Sequence, residues 1–307
     1  MEIAQAAARL DQAAGLLPTP LRQRVQALSR ERRARVEELR LRRGRPLFVL
    51  TPQGEEPLAD TAVTGRDLET VLELASASSV HTVMEQIKNG FVAVQGGHRL
   101  GLCGTGVMEG GRLVNLRELS SISLRVAREF KGLSGDVLPK LWGGQGLEST
   151  LILSPPGGGK TTLLRDLIRA ISSGEGCPPR RVGVADERGE LAAVAGGMPT
   201  LDVGPRTDVM NACPKEIGLM TLLRGMNPQV LAVDEVTAPE DVAAMLQAAG
   251  CGVTLLATAH GGTLADLDRR PLYRELMAQG VFGRLVLIWG TGEERRYTVT
   301  DGEGRPC

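Results

Sequence analysis

The chain has 307 residues, a formal net charge of zero and 42% hydrophobic residues, which is room for two domains of ordinary size, each with a core. Zero net charge removes any global pull toward nucleic acid or anionic lipid, and 3% aromatic residues supply few platforms for stacking bases. The five cysteines (103, 177, 213, 251 and 307) are scattered and never spaced Cys-x-x-Cys, which argues for a reducing cytosol and against disulfides or zinc.

No run approaches the ~18 apolar residues of a membrane span, and Met1-Glu-Ile-Ala-Gln lacks the layout of a signal peptide. Residues 1–38 read as helical, broken at Pro18-Thr-Pro20, with Leu21, Val25 and Leu28 at helical spacing. Ten arginines stand against three glutamates between Leu21 and Pro46. Glu31, Glu37 and Glu38 interleave with them, so a solvated face is expected; an acidic partner, a membrane surface or a neighbouring subunit are the alternatives. Glu38–Arg42 alternates as a strand, Gly44-Arg-Pro46 turns it, and Leu47–Leu50 is a second strand. Thr64–Ala75 predicts a helix, with Thr64 and Asp67 set as a capping box, and Val80–Asn89 predicts another. Gly96-Gly97 between Phe91–Val94 and His98–Leu102 is a hairpin signal, and Ser121–Val126 is one more strand. His81 and His98 lack ligand-like neighbours, so surface or satisfied core positions are expected for both. Glycine-rich Trp142–Leu147 reads as the linker, dividing a mixed α+β domain, 1–143, from a second domain, 144–307. Beyond it, apolar strands alternate with helices, which implies a mainly parallel sheet with crossover helices.

Ser154-Pro-Pro-Gly-Gly-Gly-Lys-Thr-Thr162 follows the apolar run Thr150–Leu153 and precedes a helical run. Strand, glycine loop, Lys-Thr and helix is the arrangement that cradles nucleotide phosphates. Pro156, Gly157, Gly158, Gly159, Lys160, Thr161 and Thr162 are the expected contacts. The glycines let backbone N–H groups point inward, the helix start adds its own N–H groups, Lys160 reaches the outer phosphates, and Thr161 offers a hydroxyl to Mg²⁺. The usual pattern opens on Gly where this chain has Ser154, so the geometry at that end of the loop is the point of departure.

Val230–Val233 runs into Asp234-Glu235. A strand buried on both faces delivers Asp234 at its carboxyl end, where open α/β sheets bind ligands. Asp234 suits the Mg²⁺ shell and Glu235 the attacking water. Arg181–Ala185 is another strand, followed by Asp186-Glu-Arg188, which gives Glu187 and Arg188 a place at the nucleotide's edge. Val253–Ala259 ends at His260, positioned to sense a γ-phosphate. Pro239-Glu-Asp opens a helix that Gly250 and Gly252 close. Compensation of phosphoryl charge calls for an arginine, often a neighbour's; Arg125, Arg128, Arg206 and Arg224 are the candidates.

The order Lys160-Thr161, Asp186-Glu187-Arg188, Leu223-Arg224-x-x-Asn-Pro228, Asp234-Glu235 and Thr258-Ala-His260 resembles the type II/type IV secretion ATPases. More closely, Glu38–Pro46, Gly97–Gly101, Ser123–Ala127, Gly204–Val209 and Cys213-Pro-Lys215 are similar to signatures of the stage III sporulation protein AA family, which normally has Gly at the position of Ser154. The resemblance spans roughly residues 35 to 290 and implies a P-loop NTPase (RecA-like) α/β domain, preceded by the smaller α+β one. It further implies an ATP- and Mg²⁺-dependent motor that assembles as a homo-hexamer in the mother-cell cytoplasm, at a membrane channel made with other stage III sporulation proteins. Two other functions fit the residues: a nucleic-acid-stimulated ATPase using the N-terminal arginines, and a scaffold that binds ATP with little turnover.

Overall fold

The computed structural model describes residues 3–76, 91–144, 146–290 and 295–307. The expected helix Val80–Asn89, and His81 with it, lie outside the described residues. The chain forms two units, Met1–Glu129 with Ala193–Leu201, and Phe130–Ala192 with Asp202–Cys307.

In the first unit, α1 (Ile3–Ala14) buries Ala6, Ala7, Leu10, Ala13 and Ala14, the stripe that helical spacing dictates. After α2 (Thr19–Gln26), α3 (Arg30–Arg35) starts where the Ser29 side chain accepts the Arg32 N–H. An antiparallel sheet is ordered β3-β2-β1-β6-β5-β4, with β1 Glu38–Arg42, β2 Pro46–Thr51, β3 Gly54–Ala62, β4 Phe91–Val94, β5 His98–Glu109 and β6 Arg112–Arg125. Alternation puts Leu39 and Leu41 of β1 on the core face, and Leu39 is flanked across the ladder by Val49 and Leu124. The helix α4 (Gly65–Ser76) has the expected box: Thr64 N–H donates to Asp67 Oδ2 at 2.8 Å and Asp67 N–H to Thr64 Oγ1 at 3.2 Å. Strands β5 and β6 run well past the expected hairpin, pairing from Thr105 with Arg117 out to Glu109 with Arg112.

Part of the arginine-rich stretch is engaged within this unit, while Arg24, Arg30, Arg35, Arg43 and Arg45 are exposed. Arg32 pairs with Glu56 at 2.6 Å, Arg33 with Asp11 at 2.6 Å and Arg42 with Glu55 at 2.5 Å. Glu38, only 3% exposed, receives Ser123 Oγ–H at 2.5 Å and pairs with Arg40 and Arg125. His98 is a core residue: its Nδ1 accepts the Ala127 N–H at 3.0 Å, and burial, assisted by the nearby Arg9 charge, pulls its pKa down to about 4.

The second unit begins at Phe130, ahead of the glycine-rich stretch expected to be the linker. Asp166 is the physical reason. Its carboxylate accepts Ser134 N–H and Oγ–H, each at 2.8 Å, and Gly132 N–H at 3.1 Å, which ties residues 132–134 to the helix that follows the phosphate loop. Glycines 143 and 146 serve a short hairpin instead, β7 (Trp142–Gly143) with β8 (Gly146–Leu147). The main sheet is ordered β13-β10-β14-β15-β9-β16-β17. Its strands are β9 Thr150–Ser154, β10 Val182–Asp186, β13 Thr207–Asn211, β14 Val230–Val233, β15 Thr254–His260, β16 Arg284–Trp289 and β17 Arg296–Asp301. All neighbours are parallel except β16 and β17. The helices are α5 Lys160–Ser173, α6 Lys215–Gly225, α7 Pro239–Gly250, α8 Leu264–Asp268 and α9 Pro271–Ala278, while β11 (Val194–Ala195) and β12 (Met198–Pro199) belong to the first unit. Strands β9, β10 and β14 are buried along their whole length, as parallel strands covered on both faces must be. The sheet is wider than the alternation of apolar runs suggested: β13 has no fully buried residue, and the antiparallel β16–β17 hairpin closes the other edge.

Candidate functional site

The loop between β9 and α5 bends through left-handed backbone at Gly157 (φ 76°) and Gly159 (φ 96°), positions a side chain would strain. Ser154 carries no such demand. It ends β9 in register with His260, fully buried, its Oγ–H donating to Pro155 O at 2.8 Å. The departure at 154 therefore falls on extended chain, and its consequence is felt at Gly158. A Cβ there would overlap Ser154 Oγ, so the serine is matched by the middle glycine. Gly158 is buried behind the loop; Pro156, Gly157, Gly159, Lys160, Thr161 and Thr162 line a cavity of about 400 Å³ at the carboxyl ends of the strands.

Sheet order brings the rest together. Strands β14, β15 and β9 are consecutive neighbours, so Asp234, His260 and the loop emerge side by side. Thr161 Oγ1–H donates to Asp234 Oδ2 at 2.7 Å, and Thr258 Oγ1–H to Asp234 Oδ1 at 2.5 Å. With its proton on the carboxylate, the Thr161 hydroxyl keeps lone pairs for a metal. One hydroxyl and one carboxylate oxygen fit Mg²⁺, which takes few protein ligands and completes its shell with phosphate and water.

Lys160 Nζ donates to Ser154 O at 3.2 Å and meets His260 Nδ1 at 2.9 Å. His260 Nε2 lies 3.0 Å from Glu235 Oε1. An ammonium can only donate, so this network assigns His260 Nδ1 as acceptor and Nε2–H as donor to Glu235. Burial depresses the Lys160 pKa, against the pull of Asp234 and Glu235; a bound anion would reverse that shift. Glu235 has a left-handed backbone at φ 37°, rare for a residue with a side chain, and its N–H is held by Thr258 Oγ1 at 3.0 Å.

Glu187 and Arg188 also line the cavity. Arg188 Nη1 is 3.8 Å from Glu235 Oε2, and Glu187 pairs with Lys215 at 2.8 Å. Asp186, the first residue of the Asp-Glu-Arg stretch, is structural: buried, it accepts N–H groups from Glu190, Leu191 and Ala192. Lys215 is 4% exposed and donates to Thr237 Oγ1 at 3.2 Å. Thr258 and Lys215 stand in the matched motifs and Thr237 two residues beyond Glu235, but their roles at the site show only in the packed structure. Of the arginine candidates, Arg206 sits at the amino end of β13, donating to Ser172 O at 3.0 Å, and Arg224 at the far end of α6; neither lines this cavity. Within the first unit Arg125 pairs with Glu38, and Arg128 donates to Arg35 O at 2.9 Å.

Known proteins bear on this arrangement. The solved structure of the Legionella pneumophila ATPase DotB aligns over 88% of this chain and 78% of its own, with TM-score 0.57 and 16% identity. The pilus retraction motor PilT, solved with ADP, aligns over 86% and 78%, with TM-score 0.58 and 18% identity. At that identity the likeness is one of fold, the P-loop ATPase fold. The Stage III sporulation protein AA of Bacillus subtilis (strain 168) is 37% identical over 278 residues, 90% of each chain. The family model for sporulation stage III, protein AA, matches residues 8–300; a P-loop α/β domain behind a smaller α+β one, with 37% identity along nine-tenths of its length, this chain belongs to that family.

Proposed function

We propose that the chain is an ATP hydrolase that drives or assembles the secretion-like complex of stage III sporulation. The observation that carries the chemistry is the linked set Lys160–His260–Glu235 beside Thr161–Asp234 in one cavity. In this reading, Lys160 exchanges His260 and Ser154 O for phosphate oxygens, while the loop's N–H groups and the start of α5 hold the rest of the polyphosphate. Thr161 and Asp234 would hold Mg²⁺, which would supply charge neutralisation for the phosphates. Glu235 orients water in line with the γ-phosphorus and accepts its proton as the bond to the bridging oxygen breaks. His260 Nε2–H fixes the Glu235 carboxylate, and the loss of the Lys160 contact reports the γ-phosphate. Arg188, held by Glu235 across 3.8 Å, adds positive charge at that end, and Glu187 positions Lys215 beside it.

The reading includes a homo-hexamer in the mother-cell cytoplasm, peripheral to the forespore membrane, working with other stage III channel proteins. Family membership and the motor-like fold support it. Among the described residues no helix is long and apolar enough to cross a membrane. The test is deletion in the native host with sporulation scored. Wild type should restore spores and Lys160→Ala should not. Normal spores from the deletion would remove the sporulation role, and rescue by Lys160→Ala would remove the motor.

A further inference from the structure

The mechanism leaves unused a cation that lies against the phosphate loop. Arg295 immediately precedes β17 and comes from neither the loop nor the acidic strand end. A Cβ on Gly159 would fall 2.8 Å from Arg295 Cζ and 3.0 Å from each of its two Nη atoms. Near-equal distances mean that the guanidinium lies flat over Gly159, in the space a side chain there would take. Register explains the approach: β16 runs parallel to β9 with Leu287 beside Leu153, and Trp289 pairs with Arg296, so Arg295 emerges next to the loop at the carboxyl end of β16.

Two features suit this position to an anion. Gly159 is the N-cap of α5, the positive end of the helix, where cations are disfavoured and anions favoured. Arg295 Nε is buried with no hydrogen-bond partner, and among the described residues Arg295 forms no ion pair. The Tyr297 hydroxyl is its polar partner: the Arg295 charge and a side-chain hydrogen bond from Arg295 offset part of the rise that burial imposes on that phenol.

We propose that Arg295 is a nucleotide contact, its guanidinium binding the diphosphate portion shared by ADP and ATP from the side of the loop opposite the Glu235–His260 pair. The assignment rests on the nucleotide reading of the site. It makes the β16–β17 edge part of the binding site and gives the enzyme a phosphate-binding cation of its own, separate from any arginine lent by another subunit. Discrimination between ADP and ATP is left to Lys160, His260 and Arg188.

Calorimetric titration of the full chain with adenosine, ADP and ATP tests it, using wild type, Arg295→Gln, Arg295→Lys and the control Arg296→Gln. Arg296 is exposed and next in sequence, so it reports the loss of one positive charge without the contact. Arg295→Gln should weaken ADP and ATP alike by about tenfold or more, as expected for a lost charge-assisted hydrogen bond. Adenosine affinity should not change, Arg295→Lys should recover part of the loss, and Arg296→Gln should match wild type. In turnover the loss should appear in KM more than in kcat. Equal ADP affinity in Arg295→Gln and wild type overturns the assignment, as does a loss that Arg296→Gln reproduces. A drop in Tm with unchanged ADP affinity makes Arg295 a prop for the loop and also overturns it. Wild type that binds neither ADP nor ATP fails one step earlier, removing the nucleotide reading and this inference together.

Discussion

Charged residues are arranged differently in the two units. In the first they meet as separate pairs, Arg32–Glu56, Arg33–Asp11 and Arg42–Glu55, and its buried carboxylate, Glu38, has a hydroxyl and two arginines around it. In the second they converge: Lys160, Glu187, Arg188, Lys215, Asp234 and Glu235 all border one cavity, with a left-handed backbone at Glu235. Charges matched pair by pair hold a fold. Convergent charges whose fields act on one another, at the open ends of parallel strands, are arranged for a ligand that the protein itself does not supply.

The sharpest way to break that contrast is Glu235→Gln. Turnover should fall at least ~100-fold, the scale of a lost general base, while ATP still binds; steady-state phosphate release alongside nucleotide titration reads both. Turnover surviving in that variant takes Glu235 out of its role.

Acid probes the first unit. Native His98 has a pKa of about 4 against an ordinary 6.5, so between those values the unfolded chain binds a proton that the native chain does not. Stability should fall as pH drops from 6.5 to about 4, by up to about 3 kcal/mol from this group, and stay flat below. His98→Asn, which keeps an acceptor for Ala127 N–H, should flatten that slope in denaturant titrations at stepped pH. An unchanged slope would assign the acid sensitivity to another group.

A third variant separates loop shape from loop chemistry. Gly158→Ala should cost about 1–3 kcal/mol from overpacking against Ser154, and Ser154→Gly in the same chain should restore most of it. A double-mutant cycle in Tm measures the coupling; additive effects would dissolve the pair. The smallest effect belongs to the exposed ion pairs. Arg32→Ala should change stability by no more than about 0.5 kcal/mol and leave turnover untouched. A large loss of turnover there would show that the N-terminal arginines act on the site and blunt the contrast between the units.

Sequence alone determined what is encoded by adjacent residues. The loop from Gly157 to Thr161, the capping box Thr64–Asp67 and the apolar strands ending at Asp234 and His260 depend on contacts within a few residues, and each formed where local spacing put it. The domain division did not follow composition, because Asp166 holds residues 132–134 by hydrogen bonds that no run of glycines reveals. The motifs put Thr161 and Asp234 on one Mg²⁺ and Lys160 and His260 at one end of a nucleotide, but not in direct contact, nor did they join Lys215 to Glu187 or Arg295 to Gly159. Those contacts follow from the order β10-β14-β15-β9-β16, and strand order is set by how apolar faces pack across the whole sheet, not by any strand's own residues. Ser154 shows both halves: as a letter it broke a pattern, and only the packed loop placed its side chain under Gly158.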